Sequence, residues 1–148
     1  MERRLFGMLT VAAVIGLLVG SALTFAVMQW AWRISSHANL KVVGIGVYKD
    51  SSLTIPVTQI DWGILEPGDS KNYTVYIKNE SNVPITLSMW TEDWNPLNAA
   101  NFINLSWDYT GNQIPVDRFI EATFTLNVDS ALTGINSFSF TIVIVGSG

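Results

Sequence analysis

Ser137-Phe-Ser-Phe-Thr-Ile-Val-Ile-Val145 puts Phe138, Phe140, Ile142 and Ile144 on one face of an extended chain, with no charge, proline or glycine to interrupt them. That period of two belongs to a strand packed on a core. The same pattern recurs upstream. Phe119–Val128 aligns Ala122, Phe124, Leu126 and Val128, and Ile103, Leu105, Trp107 and Tyr109 alternate. Ile85, Leu87 and Met89 share a face, as do Tyr73, Val75 and Ile77 within Lys71–Lys78. Lys41–Lys49 reads as one strand with Val43, Ile45 and Val47 together, and Ile60–Leu65 and Leu53–Val57 are shorter candidates. Pro56 confines the last to an edge or a bend. Glu66-Pro-Gly-Asp69, Asn79-Glu-Ser-Asn82 and Thr110-Gly-Asn112 have turn chemistry. Glu92–Asn101, with Pro96, is expected as the longest loop, holding a helical turn at Leu97–Asn101. About seven strands in about 105 residues, without a helix of ordinary length, predict an all-β, Ig-like antiparallel β-sandwich. The chain has no cysteine, so its core must rest on aliphatic and aromatic packing.

The other end differs. Only 14% of the 148 residues are charged, against roughly 25% in a soluble domain. Leu5 to Trp32 is a run of 28 uncharged residues, about 42 Å as a helix against a hydrocarbon core of about 30 Å. The expected division is a cytoplasmic stub (1–4), a transmembrane helix or signal-anchor (5–32), a juxtamembrane linker (33–39) and an extracellular sandwich (40–148). Arg3 and Arg4 keep the N-terminus cytoplasmic, and Trp30 and Trp32 are the interface anchors. The run exceeds the ~7–15 apolar residues of a signal peptide, which favours retention. Ser36-His37-Ala38 nevertheless has small residues at cleavage spacing, so secretion after a cut near Ala38 stays open. Ala12, Gly16, Gly20 and Thr24 form a small-residue stripe that would let two helices pack closely; such residues are also common in any membrane helix.

Several function classes fall away on composition. Residues 38–148 carry five basic and eleven acidic side chains, a net charge of −6, which gives nucleic acid no basic footprint. Without cysteine there is no zinc ribbon and no thiol nucleophile. The single histidine, His37, falls in the expected linker, away from any pocket a triad or metal site would need. Gly44-Ile-Gly46 lacks the helix and Lys-Ser/Thr of a phosphate loop; a bulge, the close approach of another backbone or a twist-tolerant strand would explain it. Glu92, Asp93 and Asp108 could offer oxygens to calcium, though a solvated acidic loop is the favoured reading. Trp90 and Trp94 border the same loop as a conceivable carbohydrate platform, while Trp107 shares the inward register of Leu105. No cofactor or metal is expected. Three N-x-Ser/Thr sequons, at Asn72, Asn79 and Asn104, mark candidate glycosylation sites. Asn72 and Asn104 alternate against inward neighbours and Asn79 falls in a turn.

Asp61-Trp-Gly-Ile-Leu-Glu-Pro-Gly-Asp-Ser70, Val75-Tyr-Ile-Lys-Asn79 and Asn82-Val-Pro-Ile-Thr-Leu87 place a proline-glycine turn before a strand ending in Asn. With Thr91-Glu-Asp-Trp-Asn-Pro96 and Leu105-Ser-Trp-Asp-Tyr109, the chain resembles small archaeal membrane-anchored or secreted Ig-like β-sandwich proteins of undefined role. More distantly it is similar to TasA/camelysin-like fibre proteins and archaeal bundling pilins. The apolar run, the exported sandwich and the lack of a catalytic motif lead to the expectation of a non-enzymatic cell-surface protein whose partners are membrane lipid, other surface proteins or a second copy of itself. The alternative is a secreted or pilus-like filament subunit assembled by helix packing or strand addition, with Lys41–Lys49 as donor to an open Ser137–Val145 edge, although pairing of both strands within their own sandwich is the favoured reading. An extracellular hydrolase is the third reading.

Overall fold

The structure, a computed structural model, describes residues 33–148. The uncharged run, its Ala12-Gly16-Gly20-Thr24 stripe, Trp30 and Trp32 lie outside the described residues. Among the described residues no helix is long and apolar enough to cross a membrane. The strands are β1 (Ile34–Val43), β2 (Ile45–Tyr48), β3 (Gln59–Leu65), β4 (Ser70–Asn79), β5 (Thr86–Asn95), β6 (Ile103–Trp107), β7 (Phe119–Val128) and β8 (Ser137–Ser147), with a 3-10 turn at Leu97–Asn101. The fold is all-β, as the alternation predicts. Two four-stranded sheets, β3-β1-β8-β5 and β2-β4-β7-β6, pack face to face. Every pair is antiparallel except β1 with β8, which run parallel. Between the sheets lie Ile34, Ile60, Leu65, Val75, Ile77, Phe124, Leu126, Phe140, Ile142 and Ile144, all essentially without solvent contact.

Three local expectations change. Residues 34–39, expected as linker, form the first half of β1, hydrogen-bonded between β3 and β8. Ile34, Ser36 and Ala38 are buried there. The Ser36 hydroxyl donates to the Gly63 carbonyl at 3.1 Å, which lets a polar residue occupy an inward position. Opposite Ser36 and His37 the pairing skips Trp62, a β-bulge that Gly63 completes at φ 71°.

Secondly, Lys41–Lys49 is not one strand. Gly44, at φ 73°, breaks it, so β1 belongs to one sheet and β2 to the other. Ile45 and Val47 are buried, while Val43 is 53% exposed on the outside of the first sheet. A left-handed residue costs glycine nothing, and here it sends the chain across the sandwich. Leu53–Val57 is a loop rather than a strand, apart from a single bridge between Pro56 and Tyr48.

Thirdly, β5 continues through residues 92–95 where a loop was expected. Its pairing with β8 slips between Glu92 and Asn95, with Asp93 at φ 56°. The slip reverses the alternation: Trp90 faces outward, and Trp94 turns in to stack on Phe140 at 4.3 Å between ring centres. The favoured reading of Ser137–Val145, paired within its own sandwich rather than left as an open edge, agrees with the structure. β8 lies inside its sheet, flanked by β1 and β5.

Candidate functional surfaces

With the core filled, chemistry is left to the outer faces and the strand edges. On the second sheet, β4 turns Asn72, Thr74, Tyr76 and Lys78 outward, and β6 turns out Asn104 and Ser106. Asn72 and Ser106 both lie opposite Thr125, and Asn104 lies opposite Asn127. The sequon residues Asn72 and Asn104 therefore flank β7 on one polar face, and both are exposed.

Asn79 is different and corrects the turn assignment. It is the last, inward residue of β4 and has no solvent contact. Its amide nitrogen donates to the carbonyls of Val83 at 2.8 Å and Ile114 at 3.0 Å. Its oxygen accepts from the Ser81 N–H at 2.8 Å and the Ser81 hydroxyl at 2.7 Å. Every hydrogen-bonding group of that side chain is engaged. The nitrogen a glycan would join is closed off in the folded domain, so this sequon works as a structural clamp on the β4–β5 turn.

The acidic trio is not brought together. Glu92 pairs with Lys41 at 3.6 Å and accepts from the Trp90 indole at 3.3 Å, on the outside of the first sheet. Asp93 sits exposed in the β5 bulge. Asp108, on the second sheet, caps the Thr123 N–H at 2.8 Å. Among the described residues, no group of three metal-ligating side chains could hold an ion. Trp90 and Trp94 do not form a platform either, since the bulge sends them to opposite faces. Trp107 packs at the core margin, stacked 6.2 Å from Phe124.

His37 stands on the outward face of β1, exposed as expected but on a strand. Register puts it between Ser139 of β8 and Asp61 of β3. That row has the residue types of a nucleophile relay, beside a shallow cleft of about 240 Å³ lined also by Ser35, Asn95 and Pro96. The geometry is not that of a relay. Among the described residues no hydrogen bond joins the three, and an Asp61 oxygen is committed to the Gly63 N–H at 2.7 Å. A second cleft, of about 320 Å³, is bordered by Asn101, Asn104, Asn127 and Asp129 and presents no nucleophile–base pair.

Outer-face contacts that alternation alone does not reveal lie around β2. The Tyr48 hydroxyl donates to Glu80 at 2.8 Å, and the carboxylate holds the phenol above its usual range, with burial adding to the effect. Tyr76 is raised in the same way by its hydrogen bond to Glu121. Gly46 makes room for the first pair, because a Cβ there would collide with the Glu80 carboxylate and the Tyr48 ring. That is the close approach the Gly-Ile-Gly stretch hinted at, although the neighbour is a side-chain pair rather than a backbone. Asp50 is lowered by the Thr54 hydroxyl and the Ile55 N–H, which it accepts while closing the next loop.

The strand edges are covered unevenly. β2 is shielded by residues 55–57, through Lys49 N–H to Ile55 O at 2.8 Å and Val57 N–H to Val47 O at 2.9 Å. Lys71 caps β3, its ammonium donating to the Trp62 and Ile64 carbonyls at 2.9 Å each. On β5 only the start is covered, by the Tyr109 hydroxyl, which accepts the Leu87 N–H at 3.2 Å, and by the Ile85–Ile114 bridge. β6 has no such cover. Asp129 N–H bonds to Phe102 O, and Asp108 N–H to Thr123 O. Even-numbered positions thus face β7, and the backbone of Ile103, Leu105 and Trp107 faces away from it.

No protein-family model matches the chain, and no curated protein matches it. Fold and surface together define a class: a two-sheet all-β domain with an open β6 edge, one polar outer face carrying Asn72 and Asn104, and no assembled catalytic group among its described residues. Function is argued from those surfaces rather than from the fold.

Proposed function

We propose that this is a non-enzymatic cell-surface protein: one immunoglobulin-like sandwich held outside the cell by an uncleaved N-terminal membrane anchor, with Arg3 and Arg4 on the cytoplasmic side. It makes contacts with envelope components or other surface proteins. The observation that carries this reading is the position of β1. A cut after Ala38 would remove Ile34, Ser36 and Ala38 from the interior and half of a strand bonded on both sides. Secretion near Ala38 is therefore costly to the fold, whereas retention costs it nothing. The polar face bearing Asn72 and Asn104 suits glycan attachment on an exported domain.

Sequencing the N-terminus of the native protein tests the reading. Recovery of residues 1–38 with the membrane fraction, together with digestion of residues 40–148 by protease added to intact cells, is the expected result. A native chain starting at Asn39, or a domain protected in intact cells, overturns it. The filament alternative keeps one supporting observation, the open β6 edge, which is uncharged and free of proline. Regular fibres in electron micrographs of purified envelopes, abolished by Leu105→Pro, would put that alternative first.

A further inference from the structure

Only Arg33 stands between Trp32, where the uncharged run ends, and Ile34, where β1 begins. Two steps along the chain span at most about 7 Å. On the anchored reading, on which this inference rests, whatever lies level with the start of β1 cannot be far from the lipid headgroups.

The register identifies what lies there. Ser35 is opposite Ile64 of β3 on one side and Ser137 of β8 on the other. β5 runs toward the same level, since Asn95 is opposite Ser139 and Pro96 borders the cleft shared by Ser35 and Ser137. The next residue, Leu97, is 81% exposed, more than any other large apolar side chain among the described residues, and Ile64 is 53% exposed. These two side chains sit at the two flanks of the sheet, on either side of the strand that continues into the apolar run. Strands lie about 4.8 Å apart, so three strand spacings separate them by roughly 14 Å. We infer that this end of the sandwich rests on the bilayer in which the chain is anchored, with Leu97 and Ile64 as apolar feet in the interfacial layer, fixing the tilt of the domain.

Charge narrows the kind of contact. Glu66 and Asp69 form the β3–β4 turn at this end, and Asp129 N–H is bonded to Phe102 O just beyond the 3-10 turn. Arg33, just before β1, and the Lys71 ammonium, bonded to the Ile64 carbonyl at 2.9 Å, offset two of these three charges. So balanced a rim gives little attraction to anionic lipid, and the seating depends on apolar burial and on the tether. It should therefore occur on zwitterionic lipid and survive high salt.

The absence of cysteine makes the test direct. Full-length Leu97→Cys, Ile64→Cys and Val116→Cys are each spin-labelled and reconstituted into phosphatidylcholine vesicles. Accessibility is then read to oxygen, which concentrates in lipid, and to a water-soluble nickel chelate. Val116 is the comparison site because it is exposed in the segment between Ile114, which bridges to Ile85, and Arg118, which bonds to Asn79 at the far end of β4. Labels at Leu97 and Ile64 should react several-fold less with the chelate than the label at Val116, at low and high salt alike. Three equally water-accessible labels, in protein that still floats with the vesicles, would overturn the seating while leaving the anchor intact. Protein that does not float at all would remove the anchored reading and the seating together. Since all three side chains are exposed, the labels should leave the core undisturbed; unchanged circular dichroism confirms it.

Discussion

Asn72 and Asn79 stand seven residues apart on the same strand, and each heads an N-x-Ser/Thr triplet. One looks into water from a polar sheet face; the other is sealed in the interior with four hydrogen bonds to its amide. Seven is an odd number, and in a strand odd separations change faces. The same three-residue motif is therefore an accessible acceptor in one case and a structural clamp in the other. A motif acquires a function only once its face is known. The contrast extends along β7, where Phe124 points in and Thr125 points out.

The largest expected effect sharpens that contrast on β7. Phe124→Ala empties a fully buried aromatic position and should cost about 3–5 kcal/mol, while Thr125→Ala should stay within about 0.5 kcal/mol. Urea unfolding of both variants gives the comparison. Equal costs would mean that the inward and outward sets have been exchanged.

Asn79→Ala comes next. It removes one of two donors from each of the Val83 and Ile114 carbonyls, which keep the Ser81 hydroxyl and the Ile85 N–H, and it leaves the part-buried Ser81 N–H without its acceptor. With one donor left unpaired and the buried bonds of the amide lost, a loss of about 1–3 kcal/mol is expected, against about 0.5 kcal/mol or less for Asn72→Ala. The same asymmetry should appear in the native protein by mass spectrometry. In a host that glycosylates its surface proteins, glycan belongs on Asn72 or Asn104 and not on Asn79. A glycopeptide at Asn79 would break the comparison outright, because the side chain cannot carry a sugar and keep its four bonds.

The alternation of apolar residues was enough to read the all-β class and most inward positions, including Phe124, Phe140, Ile142 and Ile144. What escaped it has physical causes. The start of β1 alternates as Ile34, Ser36 and Ala38, but a serine and an alanine carry little hydrophobic signal, and the Gly63 carbonyl that satisfies Ser36 is 27 residues away. Gly44 interrupts an otherwise unbroken alternation, and nothing local says that its φ is positive. In β5, proline and asparagine disguised a strand whose bulge at Asp93 reverses the faces of Trp90 and Trp94. The central place of β8 and its parallel partner depend on pairing across about a hundred residues, which no window along the chain can register. The surface was legible to the same extent: Asn72 and Asn104 fall where parity puts them. Asn79 differs because β4 runs one residue past Lys78, so the residue that turn chemistry places in the Asn79–Asn82 turn is the last inward position of the strand.

The smallest effect belongs to the outward side, where water weakens every polar contact. Gly46 has no positive φ to protect; what it protects is space. A Cβ at this position meets only the ends of two side chains, the Glu80 carboxylate and the Tyr48 ring, and both can swing into solvent. Gly46→Ala should therefore fold normally and lose little stability, since an exposed pair of this kind contributes little. It should nevertheless break the 2.8 Å bond from Tyr48 to Glu80. That bond holds the Tyr48 phenol above its ordinary value near 10, so the tyrosine should titrate at lower pH in the variant. The sign follows from the direction of the shift: a raised folded-state value means the contact stabilises fully below the ordinary tyrosine range and is lost as pH climbs through the raised value. Tyr48 followed by NMR across the alkaline range should show the drop in Gly46→Ala and again in Glu80→Gln. Tyr76, whose partner is Glu121, should hold its position in both variants. If Gly46→Ala instead costs as much as Asn79→Ala, the outer face is as tightly constrained as the inner one. The distinction drawn between the two asparagines would then not extend beyond them.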